Sequence, residues 1–202
     1  MRKAVQHLRA SDPVLSAIID RVGACRMTYN EPVFGSLVRA IVYQQLSGKA
    51  AATIFGRLLD ATGTPITPDS ILRLSFEDLR AIGLSKQKAT YIRDLAEKTA
   101  TAEVIFERFP RMTNEQIIER LTRVKGIGIW TVQMFLMFSL RRTDVLPAGD
   151  LGIRNAIQKA YKLKNPATVA DIERIGSKWR PYCSVASWYL WRSLELPSSP
   201  AP

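Results

Sequence analysis

The side chain in this sequence that is best placed to do chemistry is an acid at the start of a helix. Asp150 follows the Gly/Pro-rich loop Pro147-Ala148-Gly149 and begins an amphipathic helix whose first residues are Leu151-Gly152-Ile153-Arg154. As a helix N-cap it would contribute about 1 kcal/mol to stability. A carboxylate has two oxygens, and the positive end of the helix dipole helps to keep it ionised at neutral pH. Asp150 could therefore also stabilise a developing positive charge or activate a water molecule.

A second segment, residues 121–132, contains two glycines between two helical patterns. Gly126 and Gly128 let the backbone turn sharply, and the first N–H groups of the second helix are left exposed. Such a helix start binds phosphate oxygens, and Arg123 and Lys125 add positive charge nearby. A lone Gly-X-Gly is more simply an αα-hairpin with a glycine C-cap. The apolar residue between the glycines, the basic chain and the apolar second helix favour a phosphate-binding hairpin.

The elements that must position these residues are helices. Ser, Thr or Asp repeatedly precedes apolar residues spaced three and four apart, and no stretch alternates apolar and polar residues as a strand would. The fold class is therefore predicted to be all-α. Helices are expected to begin at Asp12-Pro13, Thr67-Pro68, Ser75 with Asp78, Ser85, Thr113 with Gln116, Asp150, and Thr168 with Asp171, and to cover 34–46, 49–59, 114–124 and 129–140.

Composition limits the class of protein. The 202 residues, 47% of them hydrophobic, suffice for one globule or two small lobes, and this apolar content argues against disorder. No apolar run approaches the roughly 18 to 20 residues of a membrane span, so we expect a soluble, cytoplasmic protein, nucleoid-associated if bacterial. With 29 Lys and Arg against 18 Asp and Glu, the net charge is +11. A polyanion is the expected partner.

Metal chemistry is not expected from the ligands available. The two cysteines, Cys25 and Cys183, lie far apart, and the one histidine, His7, belongs to an N-terminal stretch that we expect to be frayed. These residues cannot supply a zinc site or a four-cysteine iron-sulfur cluster. No cofactor is predicted to be required.

The hairpin, the Gly/Pro-rich loop and Asp150, which comes 22 residues after Gly128, together resemble the helix-hairpin-helix DNA glycosylase superfamily. The segment Ile41-Val42-Tyr43-Gln44-Gln45-Leu46-Ser47-Gly48-Lys49 resembles the DNA-facing part of its alkylation-repair branch, the 3-methyladenine DNA glycosylase II type. The resemblance to this branch covers nearly the whole chain. The resemblance implies a single two-lobed helical domain over 1–202 that lacks an N-terminal β-domain.

The same resemblance implies the organisation of the lobes. One lobe would cover about 30–140, and the other would combine about 1–29 with 141–196. The DNA cleft and Asp150 would lie between the lobes. The Pro/Ser-rich residues 197–202 are expected to be a disordered tail.

The activity that this resemblance implies is base removal. The enzyme would flip an alkylated base, such as 3-methyladenine or 7-methylguanine, out of double-stranded DNA and hydrolyse its N-glycosidic bond. Asp150 would stabilise the oxocarbenium-like sugar and activate water. Bifunctional members carry a Schiff-base lysine two positions after the second hairpin glycine, where this chain has Trp130. A monofunctional enzyme without lyase activity is therefore predicted.

The remaining site residues are carried over by matching positions. Core packing or a solvated surface is the simpler role for each, and the two readings stay open. The residues that would line the base pocket are Trp130, Trp191, Tyr43 and Tyr189. Those that would contact DNA are Gln44, Gln45, Leu46, Lys125, Gly126, Gly128 and Thr131, with Gln45 or Leu46 as the wedge that replaces the flipped base. A Na⁺ or K⁺ ion would be held by the backbone carbonyls of Thr122, Val124 and Ile127.

Two other functions are compatible with the sequence. A non-catalytic helix-hairpin-helix protein would only bind DNA, and the acid after the Gly/Pro loop argues against it. A glycosylase for another lesion, such as hypoxanthine or uracil, would keep Asp150 and change the pocket. A monomer is expected because no heptad repeat is present.

Overall fold

The computed structural model describes residues 1–197, and within them the chain is helical with no strand. The all-α prediction is confirmed. Of the tail predicted over 197–202, all but Pro197 lies outside the described residues. The twelve α-helices of the described chain are α1 (Arg2–Ser11), α2 (Pro13–Val22), α3 (Phe34–Tyr43), α4 (Gly48–Thr62), α5 (Pro68–Leu72), α6 (Phe76–Ala81), α7 (Lys86–Ala100), α8 (Asn114–Leu121), α9 (Ile129–Phe138), α10 (Leu151–Ala160), α11 (Val169–Gly176) and α12 (Cys183–Glu195), with 3₁₀ turns at Phe106–Arg111 and Ser177–Trp179.

The chain divides into two compact units. The central unit, Asn30–Leu140, contains α3 to α9. The terminal unit combines Met1–Tyr29 with the chain from Arg141 onward and contains α1, α2 and α10 to α12.

The core of the central unit forms where α3 packs against α4, α7 and α9. The apolar residues of α3 recur at helical spacing, and Leu37, Val38 and Ile41 are fully buried. An aromatic cluster extends this core. The rings of Phe106 and Phe135 meet edge to face with their centroids 6.2 Å apart.

The terminal unit is built around α12, which packs against α2 and α10. Every residue from Cys183 to Leu190 is buried. The N-terminal residues, expected to be frayed, instead form α1, so that prediction is wrong. Ala4 and Leu8 are buried because α1 packs along α2, and the Nε2 atom of His7 lies 3.3 Å from the carbonyl oxygen of Lys178.

Capping residues determine where most helices begin. Reciprocal capping boxes are present at Thr67, Ser75, Thr113 and Thr168, and the last three are those that the sequence predicted. Helix α3 ends at Tyr43, three residues earlier than expected, because Gln45 adopts a φ of 55° that a right-handed helix cannot contain. Within the described residues, no helix is long and apolar enough to cross a membrane.

Candidate functional site

Asp150 is the N-cap of α10. Its Oδ1 atom accepts a hydrogen bond of 2.8 Å from the backbone N–H of Ile153, as the sequence predicted for a cap. The same oxygen accepts a second bond, also 2.8 Å, from the indole N–H of Trp191 on α12. The carboxylate is half-buried. Two donors from different helices thus fix the orientation of this carboxylate.

Gly152 makes room for this arrangement. A Cβ atom added at this position would lie 2.9 Å from Cδ1 of Trp191 and 3.0 Å from Oδ1 of Asp150. These distances are shorter than van der Waals contact, so a side chain at position 152 would push the indole away from the carboxylate. The sequence suggested Trp191 as a stacking surface for a base. Its bond to Asp150 joins residues 41 positions apart and left no signal in the local spacing.

The two other pocket residues predicted outside the hairpin differ in their surroundings. Tyr189 is only 1% exposed, and its hydroxyl donates to the carbonyl oxygen of Gly23 at 3.0 Å. It is a core residue, and the pocket prediction for it is wrong. Tyr43 is half-buried, with the guanidinium of Arg39 4.2 Å from its ring centroid.

The hairpin lies in the central unit, between α8 and α9. Gly126 has a φ of 77°, a left-handed conformation that favours glycine, and Gly128 is the N-cap of α9. Because glycine has no side chain, no side-chain cap covers the N–H groups at this helix start. Trp130 is 50% exposed, whereas the side chain of Thr131 is buried, so any DNA contact of Thr131 would come from its backbone.

Asp94 on α7 anchors the hairpin turn. Its Oδ2 atom accepts a 2.9 Å hydrogen bond from the backbone N–H of Lys125, and Lys98 pairs with the same carboxylate at 2.9 Å. Burial alone would raise the pKa of Asp94, but these donors and the charges of Lys98 and Lys125 bring the pKa below its ordinary value. The ammonium of Lys125 lies 3.7 Å from Asp94 and stays largely exposed, as a phosphate contact requires.

The turn that follows α3 meets the hairpin directly. The side-chain amide of Gln44 donates to the carbonyl oxygen of Gly126 at 3.0 Å, which gives Gln44 an intramolecular role in addition to the predicted DNA contact. Gln45 and Leu46 are exposed, and 40% of the surface of Leu46 is open to solvent.

The backbone carbonyl oxygens of the hairpin are the type of ligand that binds a monovalent cation. The carbonyl oxygen of Val124 accepts the N–H of Ile127 at 3.1 Å, and within the described chain those of Thr122 and Ile127 accept no hydrogen bond. Backbone oxygens are the ligands that a hard cation prefers, and the cation set named from the sequence stays a prediction. Elsewhere in the chain that the structure describes, no three His, Cys, Asp or Glu residues are grouped as a metal site.

Comparisons with known proteins identify the family of this chain. Residues 38–181 match the family model described as "HhH-GPD superfamily base excision DNA repair protein". A DNA-3-methyladenine glycosylase of Schizosaccharomyces pombe is 38% identical over 203 residues, covering 97% of this chain and 89% of that protein.

Two solved structures are similar over nearly their full lengths. The S. pombe 3-methyladenine DNA glycosylase in complex with abasic DNA has a TM-score of 0.83 at 38% identity and covers 96% of this chain and 97% of that one. A DNA-3-methyladenine glycosidase of Bacillus halodurans has a TM-score of 0.86 at 37% identity, with coverage of 94% and 88%.

Proposed function

This chain belongs to the HhH-GPD superfamily of base excision DNA repair proteins, and we propose that it removes alkylated bases such as 3-methyladenine and 7-methylguanine from duplex DNA. The observation that carries the proposal is the half-buried carboxylate of Asp150, which two N–H donors hold in one orientation. The relatives named DNA-3-methyladenine glycosylase, one of them with a solved structure in complex with abasic DNA, support the substrate class.

The chemistry requires a fixed negative charge near the sugar. As the bond between C1′ and the base nitrogen breaks, positive charge develops on the sugar ring, and an anionic carboxylate stabilises it without rearranging. Asp150 also orients and deprotonates the water that adds to C1′. The products are a free base and an abasic site. Alkylation makes these purines cationic, which weakens the glycosidic bond and favours their stacking on aromatic faces.

We assign a monofunctional reaction to this chain. The position of the Schiff-base lysine of bifunctional enzymes is occupied by Trp130, which has no amine. Lys125, on the other side of the turn, is tied through its backbone to Asp94. Treatment of a reacting mixture with borohydride should therefore trap no covalent complex with DNA, whereas a lysine nucleophile would be captured.

The hairpin would hold the phosphate backbone. The N–H groups at the start of α9 and the ammonium of Lys125 supply the positive charge. A monovalent cation on the carbonyls of Thr122, Val124 and Ile127 would add positive charge at the same place when bound. A monomeric state and a cytoplasmic location complete the proposal.

The deciding experiment measures bases released from methylated DNA by the wild-type protein and by Asp150→Asn. Asparagine caps helices as well as aspartate, so the variant should fold normally and bind duplex DNA. Because the negative charge is lost, its rate of 3-methyladenine release should fall by roughly 10³-fold. Full activity of this variant would contradict the mechanism. A wild-type protein that binds DNA but releases no base would instead indicate a non-catalytic DNA-binding protein.

A further inference from the structure

Lys88 on α7 has its ammonium group against the end of α3. Its Nζ atom donates to the carbonyl oxygen of Val42 at 2.7 Å and to that of Gln44 at 2.6 Å. Within the described residues it forms no ion pair with a carboxylate. The side chain is half-buried, and this burial lowers the pKa of Lys88. A partly desolvated ammonium needs such hydrogen bonds, and the negative end of a helix is a favourable place for it.

These bonds hold Gln44 at two points. Lys88 donates to the backbone carbonyl of Gln44. The side-chain amide of Gln44 in turn donates to the carbonyl oxygen of Gly126 in the hairpin at 3.0 Å. The next residue, Gln45, has a φ of 55°, a left-handed conformation that residues other than glycine uncommonly adopt. The chain then presents Leu46 to solvent. Besides the backbone bond from the N–H of Leu46 to the carbonyl oxygen of Tyr43 at 3.4 Å, the two contacts of Gln44 tie this turn to α7 and to the hairpin.

The same side of α7 also holds the hairpin. Three residues after Lys88, the ring of Tyr91 packs so closely on Gly126 that a Cβ atom there would overlap it. Three residues further, Asp94 accepts the N–H of Lys125 at 2.9 Å. Residues three apart share a helix face, so one face of α7 contacts both the 44–46 turn and the hairpin.

Building on the proposed function, we propose that Lys88 is a positioning residue, which keeps Leu46 at a fixed place relative to the hairpin so that Leu46 can fill the gap left by a flipped base. Duplex DNA is stiff over this range, with a persistence length of about 150 base pairs. The distance between a bound phosphate and the gap is therefore imposed by the DNA. If the turn moved independently of the hairpin, Leu46 would reach the gap only part of the time while the hairpin holds the phosphate.

The test compares Lys88→Met with Lys86→Met. Methionine keeps much of the length of the lysine side chain and removes its N–H donors. Lys86 is an exposed lysine on the same helix, so its variant removes the same charge without touching the turn. The measured quantity is the preference for a duplex with a tetrahydrofuran abasic site over an undamaged duplex. Lys88→Met should reduce this preference about tenfold, and Lys86→Met should leave it unchanged. Equal preferences in the two variants would overturn the proposal.

A double-mutant cycle separates positioning from a general loss of structure. If Lys88 acts through Leu46, adding Lys88→Met to Leu46→Ala should reduce the preference no further than Leu46→Ala alone. Additive losses would overturn the proposal. Should Lys88→Met fail to fold, as judged by its thermal unfolding midpoint, Lys88→Gln takes its place because it retains a donor for one of the two carbonyls. Because one of the two bonds is kept, the preference should fall by less than tenfold, and a preference equal to that of Lys86→Met overturns the proposal.

This experiment does not depend on base release. A wild-type protein that releases no methylated base would refute the proposed function. The preference for the abasic duplex would still be measurable, and it alone decides the role of Lys88.

Discussion

Two aspartates of the terminal unit occupy the same kind of position and differ in what surrounds them. Asp12 caps α2 and Asp150 caps α10, and on Oδ1 Asp12 accepts the backbone N–H groups of Val14 and Leu15 whereas Asp150 accepts that of Ile153. Each also accepts an indole N–H at 2.8 Å, from Trp179 in the first case and from Trp191 in the second. Helix cap and indole donor therefore do not by themselves distinguish a structural from a catalytic acid.

The difference lies in how far each aspartate is exposed to solvent. Asp12 is fully buried, and its Oδ2 atom receives the indole of Trp179, the hydroxyl of Tyr161 and, at 3.2 Å, the ammonium of Lys178. Asp150 is half-buried, and its cap and indole bonds converge on one oxygen, Oδ1. The first site neutralises its charge inside the protein. The second holds its carboxylate at a residue that solvent still reaches.

Asp12→Asn should produce the largest stability change of any substitution that tests this comparison. The amide would place N–H groups or a weaker acceptor against three donors, and Lys178 would lose its counter-ion. A hydrogen bond to a charged group contributes about 1.5 to 3 kcal/mol, and because Lys178 is partly exposed its share is small, so the free energy of unfolding in urea should fall by roughly 3 kcal/mol.

Asp150→Asn is the matched control for that loss. Asparagine still caps α10, so this variant should unfold within about 1 kcal/mol of the wild type while losing base release. Equal destabilisation by the two substitutions would remove the distinction between a structural and a catalytic aspartate.

The sequence predicted the helix starts at both aspartates but not their hydrogen bonds with the indole groups. Asp12 and Asp150 were both identified as helix starts, because caps act over two or three residues. Their indole partners are 167 and 41 residues away, and only the packing of α12 and the 3₁₀ turn Ser177–Trp179 brings them near. Tyr189 was misassigned for the same reason, since residues near Trp191 on α12 point to different surroundings.

The central unit repeats this pattern. The hairpin glycines could be recognised from residue types at short spacing, whereas residues 44–46 were predicted to continue α3 and instead form a turn. Lys88 and Asp94 could not be recognised, because a lysine or an aspartate within a helix is usually a solvated surface residue. Their roles arise from contacts between α7 and two loops that are distant in sequence.

The two indole donors offer an intermediate test, because phenylalanine removes the N–H and keeps most of the ring. Trp179→Phe should lower the free energy of unfolding by about 1.5 to 3 kcal/mol, the usual contribution of a hydrogen bond to a charged group, and leave base release intact. Trp191→Phe should slow base release about tenfold. Both are measured with methylated DNA and with urea unfolding. A Trp191→Phe enzyme with wild-type activity would show that orientation by the indole is dispensable.

The smallest expected effect is a pH dependence that belongs to Asp12 alone. Burial would raise the pKa of Asp12, but the hydrogen bonds from Tyr161, Trp179, the backbone of Leu15 and Lys178 bring it below its ordinary value of 3.8. The folded state thus binds this proton more weakly than the unfolded state. The stability that ionised Asp12 provides is complete above about pH 3.9 and decreases as the pH falls through the lower, folded value.

This dependence can be measured as a difference between two proteins. Other carboxylates with lowered pKa values, such as Asp94 and Asp171, titrate equally in the wild type and in Asp12→Asn, so their effects cancel. The pKa of Tyr161 is raised, mainly by burial, and it remains a donor throughout the acid range. The gap in urea midpoint between the two proteins should therefore be constant from pH 7 to 5 and narrow below about pH 4. A gap that stays constant to pH 2.5 would mean that Asp12 is held by packing rather than by its charge.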